Sequence, residues 1–504
     1  MEKKAIKDDN NIRVAIVGNV DSGKSTLVGV LTKGMPDDGR GSARMKVFNY
    51  SHEATTGRTS SIAQEILGFD DAGNQVLPER FVQNKNKYWS EVMERSSKVV
   101  NLIDLCGHER YLKTTLLGLM GIPPDYVIVV VGANMGVSRM TKEHIGIATS
   151  LDLPIIIVVT KIDMVLPETL KKTVDEIKEI FSKHGMKKKV HCIDYEEEDI
   201  RANEKEALQE ASLASGEGKD DKARRVRTTI EKRTLTKRES DSIDIAVDLV
   251  GSDRVCPLFL ASSVTNFGIF NLIRFLNKLK MRVSKVKGFA DPKAPAEFDI
   301  HEHMNPVGVG HVISGLLKTG TVKVNSVMSL GPDAANNFKQ IVVKSIHFNR
   351  VPVDEAYAGQ FCTFAIRNNK KAKEFDRKDF RKGVVCLDTA IEPKGSYGFV
   401  AKISVLHHAT TIRLGYECVL HLGVVRQTIK ILKMDREILR TGDKSECILK
   451  FMFYPEFIKP GMTFMLREGR TKVVGEIVKL VDDPAVLNNL FDKFRRDQKH
   501  TEHE

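Results

Sequence analysis

Apolar residues follow two rhythms along this 504-residue chain, and the change falls near residue 285. Before it, short unbroken apolar runs alternate with amphipathic stretches. The runs at 12–17, 99–103, 126–131 and 154–159 are rich in β-branched residues, which predicts strands buried on both faces of a parallel sheet. Helical spacing occupies 141–151 and 167–184. Together these predict an α/β domain over 12–285, a doubly wound and mostly parallel sheet. After it, short alternating strands at 310–317, 322–324, 340–346 and 399–405 are parted by turn residues. Even spacing of this kind predicts two antiparallel β-barrels, at 295–390 and 394–485, joined at Glu392-Pro393-Lys394-Gly395. The charged patch 370–382 reads as a loop, and 1–11 and 486–504 read as polar tails.

One segment breaks the first rhythm. Residues 194–241 begin acidic (Glu196, Glu197, Glu198, Asp199) and turn basic (Arg224, Arg225, Arg227, Lys232, Arg233), with few aliphatics. A solvated insertion, partly helical and partly disordered, is expected there. A basic arm that contacts RNA is the sharper alternative.

Charge adds a preference for acidic partners. The net charge of +12 favours them, nucleic acid being the commonest. The seven cysteines form no C-x-x-C pair, which argues against a zinc knuckle or a disulfide framework and fits a reducing compartment. Residues 1–11 lack the apolar core of a secretory signal, and the longest apolar runs are too short to span a bilayer. A cytoplasmic monomer with no membrane contact is expected.

The chemistry begins at Gly18-Asn19-Val20-Asp21-Ser22-Gly23-Lys24-Ser25, which fits the phosphate-loop pattern G-x-x-x-x-G-K-[ST]. An apolar run precedes it, and a helical stretch beginning at Thr26 follows. The glycines let backbone N–H groups face a phosphate chain, and the helix start adds a positive dipole end. Lys24 is placed to reach the β- and γ-phosphates and Ser25 to ligate Mg²⁺. Asp104-Leu105-Cys106-Gly107 fits D-x-x-G directly after a buried strand, so Asp104 can hold Mg²⁺ through water and the Gly107 N–H can sense the γ-phosphate. Thr160-Lys161-Ile162-Asp163 is similar to the N-K-x-D motif of GTPases. The Asp163 carboxylate can accept from the N1–H and 2-amino group of guanine, a donor pair adenine lacks. The stem of Lys161 packs on the base. Thr160 departs from the usual Asn, which ties that motif to the phosphate loop, so lower affinity with guanine choice retained is expected. Ser262, Ser263 and Val264 follow another strand and resemble in place the S-A-x loop of GTPases, which implies backbone contact with the guanine carbonyl. The nucleotide set is thus Gly18 to Thr26, Asp104, Gly107, Thr160, Lys161, Asp163 and Ser262 to Val264, for GTP or GDP.

His108 directly follows Gly107, and the run Asp104 to Glu109 resembles the D-x-x-G-H motif of translational GTPases. The resemblance implies that His108 orients the attacking water, that Val20 is the hydrophobic gate restraining it, and that Asp21 stabilises the transition state through a bound monovalent cation. It gives Lys24, Asp21 and His108 as catalytic. It also places a Mg²⁺-binding hydroxyl in Gly57-Arg58-Thr59-Ser60-Ser61-Ile62, with Thr59 favoured and Ser60 second.

Across nearly the whole chain, the resemblance is to the GTP-binding protein 1 and 2 family, relatives of elongation factor Tu and eukaryotic elongation factor 1-alpha. Asn19, the run Gly39 to Arg44, Met140-Thr141-Lys142-Glu143-His144, Pro306 to Gly315, Val405 to Ile412 and Arg467 to Gly475 carry it. It implies a GTP-dependent switch for tRNA and ribosome, in translation quality control or mRNA surveillance rather than bulk elongation. A GTP-regulated docking module for mRNA-decay proteins, with no aminoacyl-tRNA delivery, is the competing reading.

Overall fold

The computed structural model describes residues 10–481 apart from 58, 79–83, 184–187, 194–235, 252–253, 283–290, 370–374 and 470, together with 485–487 and 489. Two compact units divide the chain: Met1–Leu119 with Pro123–Val283, and Met120–Ile122 with Ser284–Glu504.

The first unit alternates strand and helix. In order it comprises β1 (Asn11–Gly18), α1 (Lys24–Lys33), α2 (Ser42–Met45), α3 (Ser51–Thr56), β2 (Ala63–Phe69), β3 (Gln75–Val76), α4 (Lys85–Arg95), β4 (Lys98–Asp104) and α5 (Leu112–Gly121). There follow β5 (Tyr126–Gly132), α6 (Arg139–Ser150), β6 (Ile155–Thr160), α7 (Pro167–Lys183), β7 (Lys189–Cys192), α8 (Lys237–Val250), β8 (Val255–Leu260) and α9 (Ile269–Lys278). The eight strands form one sheet in the order β3-β2-β4-β1-β5-β6-β8-β7. Pairing is parallel from β4 through β7, and β2 and β3 add an antiparallel edge. Every residue of β5 and β6 is buried, as unbroken β-branched runs require when helices cover both faces.

The end of the charged segment expected over 194–241 is helical. Thr236 and Glu239 form a reciprocal capping box that starts α8 at Lys237, and Ser242, Ile243, Ala246 and Val250 turn inward. The charges from Lys237 to Asp241 therefore belong to the opening turns of a packed helix. The rest of that expectation, like the tails before residue 10 and after 489, lies outside the described residues.

The α6 residue His144 is fully buried, with neither ring nitrogen hydrogen-bonded. Burial, helped by the Lys24 charge, pushes its pKa down from 6.5 to about 3. The folded state keeps the ring neutral while the unfolded chain takes the proton first, so its contribution is complete above pH 6.5 and is lost as pH falls toward 3. Parent protein therefore loses about 2 kcal/mol of stability from this group between pH 7.5 and 5. A His144→Leu variant should lack that component, measured as the difference between urea midpoints at the two pH values.

The second unit holds two antiparallel barrels. The first contains β9 (Glu297–Met304), β10 (Val312–Thr319), β11 (Thr321–Lys323), β12 (Val327–Gly331), β13 (Lys339–Phe348), β14 (Val351–Val353), β15 (Glu355–Tyr357), β16 (Phe361–Asn368) and β17 (Val385–Asp388). Its ring runs β12-β17-β9-β10-β16-β13, and β13 pairs back to β12 to close it. The second contains β18 (Gly398–His407), β19 (Ile412–Arg413), β20 (Glu417–Leu422), β21 (Val425–Met434), β22 (Ile438–Leu439), β23 (Lys444–Phe451), β24 (Thr463–Glu468) and β25 (Thr471–Val481). Six of these close as β18-β23-β21-β20-β24-β25 around a core that includes Phe399, Leu420, Leu449 and Phe464. Alternating burial along β21 and β23 is the period-2 pattern of a barrel wall. Between the barrels, Arg381 Nη1 donates to both oxygens of buried Glu456 at 2.8 and 3.0 Å. No helix among the described residues is long and apolar enough to cross a membrane.

Candidate active site

Four loops leave the carboxyl ends of neighbouring parallel strands. The Gly18 loop leaves β1, Asp104 ends β4, Thr160 ends β6, and the Ser262 loop follows β8. Strand β1 lies between β4 and β5, where the connections reverse direction across the sheet. That is the crevice position at which open α/β sheets bind ligands.

The phosphate loop is shaped by its own polar groups. Asn19 Oδ1 accepts from the Val20 N–H at 2.9 Å, and the Lys24 ammonium donates to the Asn19 carbonyl at 2.6 Å. Asn19 is therefore a structural part of the loop as well as a family mark. Lys24 is buried, and desolvation lowers its pKa against the attraction of Asp104. Gly107 lies directly over this loop. A Cβ there would stand 2.5 Å from Lys24 Nζ and 2.6 Å from the Gly18 carbonyl, so only glycine lets the two backbones approach so closely.

Three oxygen donors meet beside Lys24. Ser25 Oγ donates to Asp104 Oδ2 at 2.5 Å and lies 2.8 Å from Thr59 Oγ1, which is 3.5 Å from the same carboxylate oxygen. Burial pushes the Asp104 carboxyl up to about 6, opposed by the Lys24 charge and the Ser25 hydroxyl. Its second oxygen, Oδ1, is buried without a hydrogen-bond partner. A hard divalent cation takes such oxygen ligands, directly or through water, so these residues fit Mg²⁺.

Ser60, the second choice for the hydroxyl ligand, is engaged elsewhere. Its hydroxyl donates to Glu53 Oε1 at 3.0 Å and lies 2.7 Å from His52 Nε2. Glu53 is fully buried in α3 and gathers six donors: the Asn49 and Tyr50 N–H groups on one oxygen, and the N–H and hydroxyl groups of Ser60 and Ser61 on the other. Those bonds overcome the cost of burial and hold its pKa below the usual range. They also fix the backbone immediately after Thr59. Arg58 lies outside the described residues.

An open cleft collects the phosphate-loop residues Val20, Asp21, Gly23, Lys24, Ser25 and Thr26 with Thr59, Gly107 and His108. The Arg110 N–H donates to His108 Nδ1 at 3.1 Å, which leaves the proton of the neutral ring on Nε2, free to donate. Val20, the expected gate, and His108, which it would restrain, line the same cleft.

At the base-binding end, one expectation is corrected. Thr160 does tie its motif to the phosphate loop: its hydroxyl donates to the Ser22 carbonyl at 2.6 Å. A hydroxyl at the end of β6 thus makes the tie to the phosphate loop that the usual Asn amide makes. Lys161 takes a left-handed conformation with φ 59°, which starts a one-turn 3₁₀ helix carrying exposed Asp163. Ser262 is buried and its hydroxyl accepts from the Val264 and Thr265 N–H groups, shaping the neighbouring loop, while the Ser263 carbonyl accepts from the Asp37 N–H at 2.8 Å.

Two residues escaped the sequence reading as site components. Glu53 sits in a stretch with no recognisable motif. Arg44 lines the cleft but stood out only as part of a family-like run.

Residues 9–281 match the family described as Elongation factor Tu GTP binding domain. The chain is 38% identical to GTP-binding protein 1 of Xenopus laevis over 490 residues, covering 97% of this chain and 66% of that protein. It is 34% identical to GTP-binding protein 2 of Homo sapiens over 468 residues, covering 93% of this chain and 69% of that one. The crystal structure of a bacterial selenocysteine-specific elongation factor, EF-Sec, shares the fold with a TM-score of 0.57 at 17% identity, covering 92% of this chain and 58% of that one. The chain therefore spans just under two thirds of the GTP-binding protein 1 and 58% of the EF-Sec it matches. With the domain match and 34% identity across 69% of a relative, the chain belongs to the GTP-binding protein 1 and 2 family of translational GTPases.

Proposed function

We propose that this protein binds GTP in the cleft, hydrolyses it to GDP and phosphate, and uses the difference as a switch for binding tRNA and the ribosome. The observation that carries the reading is the meeting of Ser25, Thr59 and Asp104 beside buried Lys24. Mg²⁺, when bound there, supplies positive charge to the β- and γ-phosphates. Lys24 adds a fixed cation, Gly107 presents backbone to the γ-phosphate, and Asp163 selects guanine. His108 orients water through Nε2, with Val20 at its side, and Asp21 supports a monovalent cation. Thr59 is the only ligand of the three carried by the loop after α3, so its seat is where nucleotide state reaches the rest of the chain. The setting is cytoplasmic, the protein a monomer, and the work quality control or mRNA surveillance rather than bulk elongation. The domains are 12–285, 295–390 and 394–485.

The test is a filter-binding comparison of the GTP-loaded protein with aminoacylated and uncharged tRNA. A preference of about tenfold or more for the aminoacylated form is expected, a difference of roughly 1.4 kcal/mol. Equal retention of both would reject delivery and favour docking to mRNA-decay proteins instead.

A further inference from the structure

Arg44 lies in the short helix α2 and lines the same cleft as Lys24, Ser25 and Thr59. Its Nε is buried without a hydrogen-bond partner, and among the described residues no carboxylate pairs with it. The residue is half-buried, and its Nε has given up water with no acceptor in exchange, which is costly. The arrangement becomes favourable when an anion enters the cleft, and the planar fork of arginine suits phosphate oxygens.

The side chain is placed rather than trailing. A Cβ on Gly41 would lie 2.4 Å from Arg44 Nε and one on Gly57 would lie 3.3 Å from its Nη2, so the guanidinium runs through space that two glycines leave clear. The helix beneath it is held by Asp37, whose carboxylate accepts from the N–H groups of Gly39, Gly41 and Ala43 at 3.0, 3.1 and 2.9 Å. Ala43 is buried in the core of the unit, and the Asp37 N–H reaches the Ser263 carbonyl. The base-side loop, Asp37 and Arg44 therefore form one connected path to the phosphate side.

We propose that Arg44 is a second cation for the phosphate chain of the nucleotide, acting alongside Lys24. This rests on the reading of the cleft as a GTP site. The two fail separately: parent protein that binds no GTP sinks that reading, whereas parent binding that survives loss of Arg44 sinks only this inference.

The experiment is fluorescence titration of the full chain with labelled GTP and GDP, for the parent, Arg44→Ala and Arg44→Lys. Loss of a charge-assisted contact predicts affinity about tenfold or more weaker in Arg44→Ala. Arg44→Lys should recover part of it, and the melting temperature of the nucleotide-free protein should stay that of the parent. A structural role would lower the melting temperature of both variants with no recovery in Arg44→Lys, and that result overturns the proposal. Affinities for both nucleotides within about twofold of the parent in Arg44→Ala overturn it as well.

Discussion

Replacing His108 by alanine should leave GTP affinity within about twofold of the parent and lower ribosome-stimulated hydrolysis by roughly 10²- to 10⁴-fold. The residue belongs to the cleft without holding the nucleotide in place. It sits one position after Gly107, and its Nδ1 is already engaged by the Arg110 N–H. Only the Nε2 side is available for water, so the ring matters when water must be aligned and little at the binding step. The alanine variant also removes the acceptor that caps the short 3₁₀ turn Glu109–Tyr111. His108→Asn separates the two effects, because an Asn side chain can keep the cap without the ring. If the turnover defect comes from the ring, both variants show it. Stimulated turnover equal to the parent in either one rejects the role.

The second large effect concerns the base. Asp163→Asn should weaken GTP by roughly 10²- to 10⁴-fold, from one lost charge-assisted bond and a donor facing the guanine 2-amino group. The same variant should accept xanthosine triphosphate. Xanthine keeps the N1–H and carries a carbonyl where guanine has its amino group, which matches the Asn amide edge for edge. Asp163 is exposed on its turn, so the exchange should leave the fold intact. Competition of the two nucleotides on one protein sample gives the answer. A variant that still prefers GTP places the base elsewhere.

What could be read from the chain alone was local. Gly18 to Ser25, Asp104 to His108 and Thr160 to Asp163 each pack their chemistry into a few consecutive residues at a strand end. Their side chains meet because parallel strands bring their carboxyl ends to one edge. Glu53 and Arg44 lie outside that logic. Each acts from a short helix in the long stretch between α1 and β2, where no period or motif marks a contact, and the relation of Glu53 to Ser60 exists only once the loop has folded back. The Thr160 tie was missed for a different reason. Amide and hydroxyl look unlike as letters, yet either can place a donor at the Ser22 carbonyl. The start of α8 was written in Thr236 and Glu239, but the surrounding charge hid it.

The six bonds on Glu53 are all made within the chain and involve no nucleotide atom. The loss of conformational freedom in the 49–61 loop is therefore charged to folding, and nucleotide binding need not bear it again. On the proposed reading, what is left for the terminal phosphate to decide is small: the seat of one threonine oxygen and its contact with the Gly107 backbone. If the proposed switch moves only those groups, it has little intrinsic bias to report. Its signal must be amplified by whatever surface reads the position of Thr59, and the lifetime of each position is open to control by that reader.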